Sequence, residues 1–321
     1  MPVVKHNKIF VAGHRGMVGS AIVRKLQGKG YTNIVSRTHH ELDLLDQVAV
    51  RAFMQAEKPD YLFLAAAKVG GIQANNIYRA DFIYQNLLIQ ANVIHSAHEA
   101  GVQRMLSLGS SCIYPRDCPQ PIREEYLLTG PLEKTNESYA IAKIAGLKLC
   151  EAFNAQYGRR YVSVMPTNLY GPADNYELQG SHVLPALIRK VHEAKAAGSG
   201  DVVVWGSGTP RREFLYVDDL ADACVFLMER DDSPALANVG CGHDLTIAAL
   251  AETVMDVLGH RGRIVFDGSK PDGTPRKLLD VSRLSGLGWK AATDLRTGIA
   301  AAYAASPFAS PATTATGAET P

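Results

Sequence analysis

A glycine-rich turn near the N-terminus constrains the fold of this chain more than any other feature. The apolar segment Lys8–Ala12 runs directly into Gly13, which is followed by Gly16, Gly19 and a helix predicted from Ser20 to Gln27. Gly13 permits a tight turn, Gly16 lets the backbone approach a pyrophosphate, and Gly19 lets helix and strand pack closely. The helix N-terminus then faces the anion. A G-x-x-G-x-x-G spacing alone is weak evidence, but the order strand, turn, helix favours a dinucleotide site over a plain glycine-rich turn.

The residues after the second predicted strand bear on which dinucleotide binds. Strand Asn33–Ser36 is followed by Arg37, Arg15 lies inside the glycine turn, and no carboxylate follows until Glu41. An acidic residue at this strand end usually binds the free ribose hydroxyl of NAD(H), whereas arginine accommodates the 2′-phosphate of NADP(H). The pattern therefore favours NADP(H). The alternative is that both arginines are solvated surface residues.

Strand and helix patterns alternate through the first half of the chain. The predicted elements are a helix from about Asp46 to Glu57, strand Tyr61–Leu64, a helix from about Asp81 to Gly101, strand Met105–Leu108, a helix that contains Tyr139, and strand Tyr161–Val164. Apolar strands between helices indicate an α/β fold with a doubly wound, Rossmann-type parallel sheet, whose ligands lie at the carboxyl ends of the strands. At that edge Ala65–Ala67 leave room for a cofactor, and Ser110, Cys112 and Tyr114 follow the fourth strand.

After Pro172 the sequence contains more glycine and proline and shorter elements, which predicts a smaller C-terminal α/β lobe. Its predicted elements are strand Val202–Trp205, a helix from about Thr246 to Leu258, and strand Arg263–Phe266. Cationic residues near Trp205 suit a ligand with phosphates and a base to stack on, and a solvated surface explains them equally well. The predicted division is a cofactor domain of residues 1–172 with a returning segment of about 213–240, a substrate lobe of 173–212 and 241–305, and an unfolded tail of 306–321.

The overall charge and the cysteines exclude several classes of partner and site. The 33 basic and 32 acidic residues leave no basic field for nucleic acid, and no polybasic run suggests a membrane surface. The longest apolar run, Tyr61–Ala67, is too short to span a bilayer, and the N-terminus lacks a signal sequence. Five scattered cysteines without a C-x-x-C spacing predict reduced thiols and no metal site. We expect a cytoplasmic enzyme or binding protein with a small-molecule partner.

Tyr139 and Lys143 stand one turn apart at the start of an apolar-periodic helix, so both side chains leave the same face. An ammonium close to a phenol favours the phenolate, and we expect it to lower the pKa of Tyr139 toward the working pH. The pair is then a proton donor to a carbonyl oxygen. Taken alone, the spacing fits a packed tyrosine and a solvated lysine. The glycine turn and the run Gly109–Cys112 shift the balance toward catalysis.

Together, the glycine turn, Ser110 and the Tyr139–Lys143 pair resemble the extended short-chain dehydrogenase/reductase superfamily. Five longer runs resemble the GDP-L-fucose synthase family within it: Ala12–Gly19, Ala65–Ile72, Gly109–Pro115, Met165–Pro172 and Lys270–Lys277. The resemblance extends to about Ala305. It implies NADPH-dependent conversion of GDP-4-keto-6-deoxy-D-mannose to GDP-L-fucose, by epimerisation at carbons 3 and 5 and then hydride reduction of the carbon-4 ketone. It also implies a homodimer, formed through the helices near 81–101 and 138–157.

The resemblance assigns residues to each role. Catalysis is assigned to Ser110, Tyr139 and Lys143 at the ketone and to Cys112 and His182 as the base and acid of inversion. Cofactor binding is assigned to Gly13, His14, Arg15, Gly16, Met17, Val18, Gly19, Arg37, His39, Leu108, Gly109, Ser110, Ser111, Lys143, Pro166, Thr167, Asn168, Leu169 and His182. Substrate binding is assigned to Lys190, Trp205, Arg212 and Asp272. His39 and Lys190 stand where family members have arginine, and lysine does not bind phosphate bidentately.

Two other functions fit parts of this pattern. Another nucleotide-sugar epimerase or dehydratase of the superfamily recycles a bound NAD, and it needs neither the Cys112 and His182 pair nor a supply of NADPH. A non-enzymatic NADP(H)-sensing regulator can lose the Tyr139 and Lys143 pair, whose presence counts against that function. Without the family motif, Cys112 is a small buried thiol and His182 a polar loop residue.

Overall fold

The computed structural model describes residues 4–178, 180–198, 200–270 and 272–309, so residues 310–321 of the predicted tail and one residue of the Lys270–Lys277 run lie outside it. The strands are β1 (Ile9–Ala12), β2 (Ile34–Val35), β3 (Tyr61–Leu64), β4 (Arg104–Leu108), β5 (Arg160–Pro166), β6 (Asn168–Tyr170), β7 (Asp201–Trp205), β8 (Arg211–Arg212), β9 (Phe214–Tyr216), β10 (Leu236–Val239), β11 (Leu245–Thr246), β12 (Arg263–Asp267) and β13 (Arg276–Lys277). The helices are α1 (Met17–Gly28), α2 (Gln47–Glu57), α3 (Ile72–Ile77), α4 (Arg79–Glu99), α5 (Glu137–Tyr157), α6 (Val183–Ala196), α7 (Val217–Glu229), α8 (Ile247–Leu258), α9 (Ser282–Gly286) and α10 (Leu295–Ala304).

A six-stranded parallel sheet in the order β10-β5-β4-β3-β1-β2 forms the centre of the fold. Every residue of β1, β3 and β4 is buried, because helices cover both faces of the sheet. One face packs against α1 and α7, and the other packs against α2, α4 and α5. The predicted Rossmann-type α/β fold is confirmed.

The last strand of this sheet comes from far along the chain. After β5 the chain forms β6 to β9 and then returns through α7, which packs against α1. Strand β10 pairs in parallel with β5, with Leu236 opposite Ser163. The sheet therefore includes residues that follow part of the second lobe. The domain boundaries themselves stay a prediction.

The second lobe is built on α6 and α8, with two small sheets in the orders β11-β8-β13 and β12-β7. Its core includes Leu187 and Ile188 of α6 and Leu250 and Val254 of α8. Strand β6 pairs with β9, which carries the chain between this lobe and the large sheet.

The structure differs from the predicted tail at its start. Phe308 stacks on His192 at 5.1 Å between ring centroids and meets Tyr176 edge-on at 5.3 Å. Ser306 is buried as well. Residues 306–309 therefore belong to the folded lobe, since one aromatic ring is enough to anchor a segment of small residues.

Candidate active site

The glycine turn between β1 and α1 has no room for a side chain at Gly13 or Gly19. Gly13 has φ +84°, and a Cβ there would lie 2.7 Å from the Ala66 backbone nitrogen. A Cβ on Gly19 would overlap the Gly13 carbonyl. Gly16 caps α1 without a side chain, and no acidic residue stands in the first turn. The N-terminal amides of α1 are thus available to an anion, as expected for a pyrophosphate cradle.

A cavity of about 1390 Å³ opens at the carboxyl ends of the sheet strands and extends to the second lobe. Ser110, Cys112, Tyr139, Lys143 and His182, the five predicted catalytic residues, all line it. So do the predicted cofactor residues Gly13, Gly16, Met17, Val18, Gly19, Arg37, His39, Leu108, Gly109, Ser111, Pro166, Thr167, Asn168 and Leu169, and the predicted substrate residues Lys190, Trp205, Arg212 and Asp272. His14 and Arg15 lie in the glycine turn but outside this lining. The predicted site is otherwise one continuous space.

Lys143 is buried beneath the floor of the cavity. It is 4% exposed, and its ammonium donates a hydrogen bond to the Leu108 carbonyl at 2.7 Å. Burial lowers the pKa of Lys143 to about 8. The ammonium also lies 5.7 Å from the centroid of the Tyr139 ring, so the predicted pair is adjacent in space.

The pKa of Tyr139 shifts in the direction opposite to the one expected. Burial raises it above the usual value, and the nearby Cys112 raises it further. The expected lowering by Lys143 is wrong for this structure. The ring is partly buried, with Phe82 edge-on at 6.2 Å, and desolvation disfavours the phenolate. Tyr139 therefore holds its proton at neutral pH, which is the state that a proton donor requires.

Ser110 and Cys112 follow the end of β4 in a short 3₁₀ turn, Ser111–Ile113. The Ser110 hydroxyl oxygen accepts a hydrogen bond from the Cys112 backbone nitrogen at 3.3 Å, which fixes both residues at the sheet edge. Cys112 is 8% exposed, and burial raises the pKa of its thiol. The Lys277 ammonium opposes that effect more than any other group.

Lys277 is a site residue that the sequence reasoning missed. It ends β13, opposite Arg212 of β8, and it lines the cavity. Within the described residues its ammonium has no hydrogen-bond or ion-pair partner, and burial lowers its pKa. Lys277 also helps burial to lower the pKa of His182, the N-cap residue of α6. The motif Lys270–Lys277 contains this residue, but no local signal distinguishes it from its solvated neighbours.

The second lobe presents an aromatic ring between two lysines. The ammonium groups of Lys190 and Lys270 lie 5.1 and 5.3 Å from the ring centroids of Trp205. Asp272 accepts hydrogen bonds from the Ser207 backbone nitrogen at 2.7 Å and from its hydroxyl at 2.8 Å. Asp272 thus ties the loop before β13 to the turn after β7, and the pair of lysines suits a base with attached phosphates.

Glu213 connects the two sides of the cavity. Its carbonyl accepts hydrogen bonds from Thr167 at 3.2 Å and from the Asn168 amide at 2.8 Å. Its buried carboxylate accepts from the backbone nitrogens of Gly242 at 2.7 Å and Leu279 at 3.0 Å. Burial raises the pKa of this carboxyl group. Sequence reasoning gave it no role, because an isolated glutamate between Arg212 and Phe214 has no distinguishing pattern.

At the cofactor edge, Arg37 forms an ion pair with Glu57 at 2.6 Å. Sequence reasoning found no carboxylate before Glu41 and missed Glu57, which stands at the far end of α2. His39 lies 3.7 Å from Asp43. Among the residues that the structure describes, no cluster of His, Cys, Asp or Glu is placed to hold a metal ion, and no helix is long and apolar enough to cross a membrane.

Comparison with known proteins identifies the family of this chain. The family model for the NAD dependent epimerase/dehydratase family matches residues 9–240. The putative GDP-L-fucose synthase 2 of Arabidopsis thaliana is 61% identical over 93% of this chain and 91% of its own. The GDP-L-fucose synthase of Escherichia coli K12 is 58% identical over 92% of this chain and 95% of its own.

Solved structures agree as well. The crystal structure of a GDP-L-fucose synthetase from Naegleria fowleri bound to NADP is similar with a TM-score of 0.87 and 29% identity, over 94% of this chain and 93% of that one. Fold, cavity and sequence thus point to the same relatives. The chain belongs to the NAD dependent epimerase/dehydratase family, in the group that contains the GDP-L-fucose synthases.

Proposed function

We propose that this protein converts GDP-4-keto-6-deoxy-D-mannose to GDP-L-fucose with NADPH, by epimerising carbons 3 and 5 and then reducing the ketone at carbon 4. One observation carries the proposal. The five residues predicted for the two reactions line the same cavity as the glycine turn and Trp205. Such a cavity can hold a dinucleotide and a nucleotide sugar side by side, with the reacting carbons between them.

The residues at the sheet edge fit an NADP(H) molecule. The cradle at Gly13 and Gly19 excludes side chains, and the N-terminus of α1 offers uncapped amides to a pyrophosphate. Arg37 and His39 line the same end of the cavity, where an arginine suits a 2′-phosphate. Bound NADPH supplies the hydride for carbon 4.

Epimerisation needs a base on one face of the sugar and an acid on the other. The ketone acidifies the protons on carbons 3 and 5, and Cys112 removes one of them as its thiolate. Burial raises the pKa of this thiol, and the Lys277 ammonium opposes that rise. The resulting enolate charge lies on the carbon-4 oxygen, where the hydroxyls of Ser110 and Tyr139 donate hydrogen bonds. His182 returns a proton to the opposite face. Burial and the Lys277 ammonium lower its pKa, which makes the imidazolium a stronger acid and also reduces the fraction of rings that are protonated.

Reduction uses the same oxygen site. As carbon 4 is reduced, its oxygen gains negative charge, and Tyr139 donates its proton there. The raised pKa of Tyr139 keeps that proton in place until the oxygen becomes the stronger base. Lys143, fixed by the Leu108 carbonyl, stabilises the phenolate that remains.

One assay tests this proposal. The purified protein is supplied with GDP-4-keto-6-deoxy-D-mannose and NADPH, and the sugar product and oxidised cofactor are quantified together. We expect GDP-L-fucose and NADP⁺ in equal amounts. A reduced sugar that keeps its original configuration at carbons 3 and 5 would indicate a simple ketoreductase. An altered sugar with no NADPH consumed would indicate an epimerase that recycles its cofactor.

We further propose that the protein is a cytoplasmic homodimer. Tyr84 and Leu87 of α4 and Ile141 of α5 are exposed apolar residues on two helices that pack against each other. A second copy can bury this surface by forming a bundle with the same two helices. All five cysteines are free thiols, in accord with a reducing compartment. Sedimentation of wild type and Tyr84→Glu tests the dimer, which the added charges should dissociate.

A further inference from the structure

The Arg37 guanidinium is held toward the edge of the sheet opposite to the glycine turn. Its partner Glu57 is the last residue of α2, which runs from the carboxyl edge back to the amino edge, where β3 begins. Lys8, the residue before β1, donates to the Glu57 carbonyl at 2.8 Å and pairs with its carboxylate at 3.2 Å. The Lys8 carbonyl in turn accepts from Tyr61, the first residue of β3. Glu57 therefore lies at the amino edge of the sheet.

Several contacts hold Arg37 in this orientation. Its Nη2 pairs with Glu57 Oε1 at 2.6 Å, and its Nη1 donates to the Ser36 carbonyl at 2.8 Å. The guanidinium also lies over the Phe53 ring, 5.2 Å from the centroid. Arg37 lines the cavity, whereas Glu57 and Phe53 do not. The side chain thus belongs to the cofactor site while its charged end is bound outside it.

Glu57 has two cationic partners, so Arg37 can leave it without leaving the carboxylate unpaired. The carboxylate is 24% exposed on its side chain, so losing every partner would leave a poorly hydrated charge. Lys8 remains in contact if Arg37 leaves. A dianionic phosphate attracts a guanidinium more strongly than one shared carboxylate does, and it accepts bidentate hydrogen bonds.

We propose that Glu57 is a specificity-determining residue for the cofactor: it competes with the 2′-phosphate of NADP(H) for the Arg37 guanidinium, while Lys8 stays as its counter-ion. The inference rests on the NADPH dependence in the proposed function. NAD(H) lacks the phosphate, so it leaves Arg37 on Glu57 and gains no contact from it. The affinity that NADP(H) gains from its 2′-phosphate is consequently reduced by the cost of breaking the ion pair between Arg37 and Glu57.

Binding titrations of the full-length protein with NADP⁺ and with NAD⁺ test the proposal. Glu57→Gln removes the competing charge and should tighten NADP⁺ by about two- to fivefold, the range typical of partly exposed ion pairs, with NAD⁺ unchanged. Lys8→Met should weaken NADP⁺ by a similar factor, because Glu57 is then left unpaired when Arg37 moves. The double variant should bind NADP⁺ as Glu57→Gln alone does, since Lys8 affects Arg37 through that carboxylate and its hydrogen bond to the Glu57 carbonyl does not involve Arg37.

Two further variants separate competition from general damage. Arg37→Met should weaken NADP⁺ and abolish the effect of Glu57→Gln. Arg51 lies on α2, as Glu57 does, and forms an ion pair with Glu99 of α4 at 2.9 Å. Arg51→Gln removes that ion pair and should change neither the NADP⁺ nor the NAD⁺ affinity. If Glu57→Gln binds NADP⁺ more weakly than wild type, the proposal is overturned, and Glu57 instead positions Arg37 for binding. Equal changes in NADP⁺ and NAD⁺ affinity, or no change in either, would also overturn it.

The outcome is distinguishable from failure of the proposed function, because the titrations need no sugar. A protein that shows the expected binding pattern but forms no GDP-L-fucose contradicts the proposed function alone. A wild-type protein that binds NAD⁺ as tightly as NADP⁺ contradicts the role of Glu57, whatever sugar it converts.

Discussion

The two sides of the cavity hold their functional groups in different ways. On the sheet side, Lys143 and Cys112 are 4% and 8% exposed, and burial displaces the pKa of each. On the lobe side, Trp205, Lys270 and Asp272 are exposed and act through stacking, charge and loop hydrogen bonds. Burial changes the proton affinity of a group and so affects the proton-transfer steps of the reaction, whereas exposed groups contribute mainly to substrate binding. Substitutions of Lys143 or Cys112 should therefore lower kcat, and those of Trp205, Lys270 or Asp272 should raise KM.

The largest effect should come from Tyr139→Phe. The variant keeps the ring but loses the proton donor, so reduction should slow by on the order of 10²-fold or more. Cofactor affinity should stay close to wild type, because the hydroxyl is the only group removed. Single-turnover reduction and NADP⁺ titration measure the two quantities. Turnover at the wild-type rate would contradict the catalytic roles assigned to Tyr139, Ser110 and Lys143.

Cys112→Ser should separate the two reactions. A serine hydroxyl is far less acidic than a thiol, so proton removal should fall by on the order of 10²-fold while reduction persists. In heavy water the variant should incorporate little deuterium at carbons 3 and 5 and should yield a 6-deoxy sugar of the wrong configuration, as NMR can show.

His182→Ala is the matched comparison for Cys112→Ser. It should also block inversion, but exchange of the first proton should survive, because Cys112 is still present. Full exchange and normal product from the Cys112 variant would leave that residue as a small packed thiol.

Lys277→Met should change the reactivity of Cys112 without any substrate. The ammonium opposes the rise that burial causes in the pKa of the thiol, so its removal should reduce the thiolate fraction and slow alkylation by iodoacetamide. Cys118 also faces Lys277, so alkylation must be mapped by peptide mass to distinguish the two thiols. An unchanged rate at Cys112 would show that the lysine does not influence it.

The pH dependence of reduction should reflect Lys143. Its pKa is lowered to about 8 by burial, so the ammonium is present below that pH and is lost above it. Reduction should therefore fall by about threefold between pH 7.5 and 8.5, as the charged fraction falls. Lys143→Arg keeps its charge throughout and should lose this decline, even if its rate is lower. A rate that rises over the same interval would contradict the assignment.

The smallest effect should come from Asp272→Asn on the lobe side. The change removes a charge but keeps the side chain's shape, weakening the hydrogen bonds to Ser207 that position the loop. KM for the nucleotide sugar should rise by about two- to fivefold with kcat nearly unchanged, as for loss of one exposed charged contact. A fall in kcat at constant KM would break the distinction between the two sides.

The sheet was predictable because its strands are continuous apolar runs. Strand β3 has the same bounds, Tyr61–Leu64, as the prediction, since a strand buried on both faces must be apolar throughout. The two-residue strands β8 and β13 have no periodicity to detect. They meet only in three dimensions, where Asp244 accepts hydrogen bonds from Arg211 at 2.8 Å and Arg276 at 2.5 Å. Helix α3 has six residues and was also missed.

The candidate site was predictable where chemistry follows a motif. The glycine spacing and the Tyr139–Lys143 pair have such patterns, and the family resemblance supplied Cys112 and His182. The direction of the Tyr139 pKa was not predictable, because desolvation depends on what covers the ring. Glu57 and Lys277 were missed for a related reason. Each contacts or influences a group that is distant in sequence, and the residues flanking it form no motif that indicates this role.

The position of β10 has a consequence for how the chain is made. A ribosome delivers β5 well before its outer neighbour β10, and part of the second lobe must emerge between them. During that interval β5 is a sheet edge with unpaired backbone groups, which invites association with other nascent chains. A gene cut after residue 172 would fix the chain permanently in that state. Synthesis must therefore reach Val239 before all six strands of the sheet can pair.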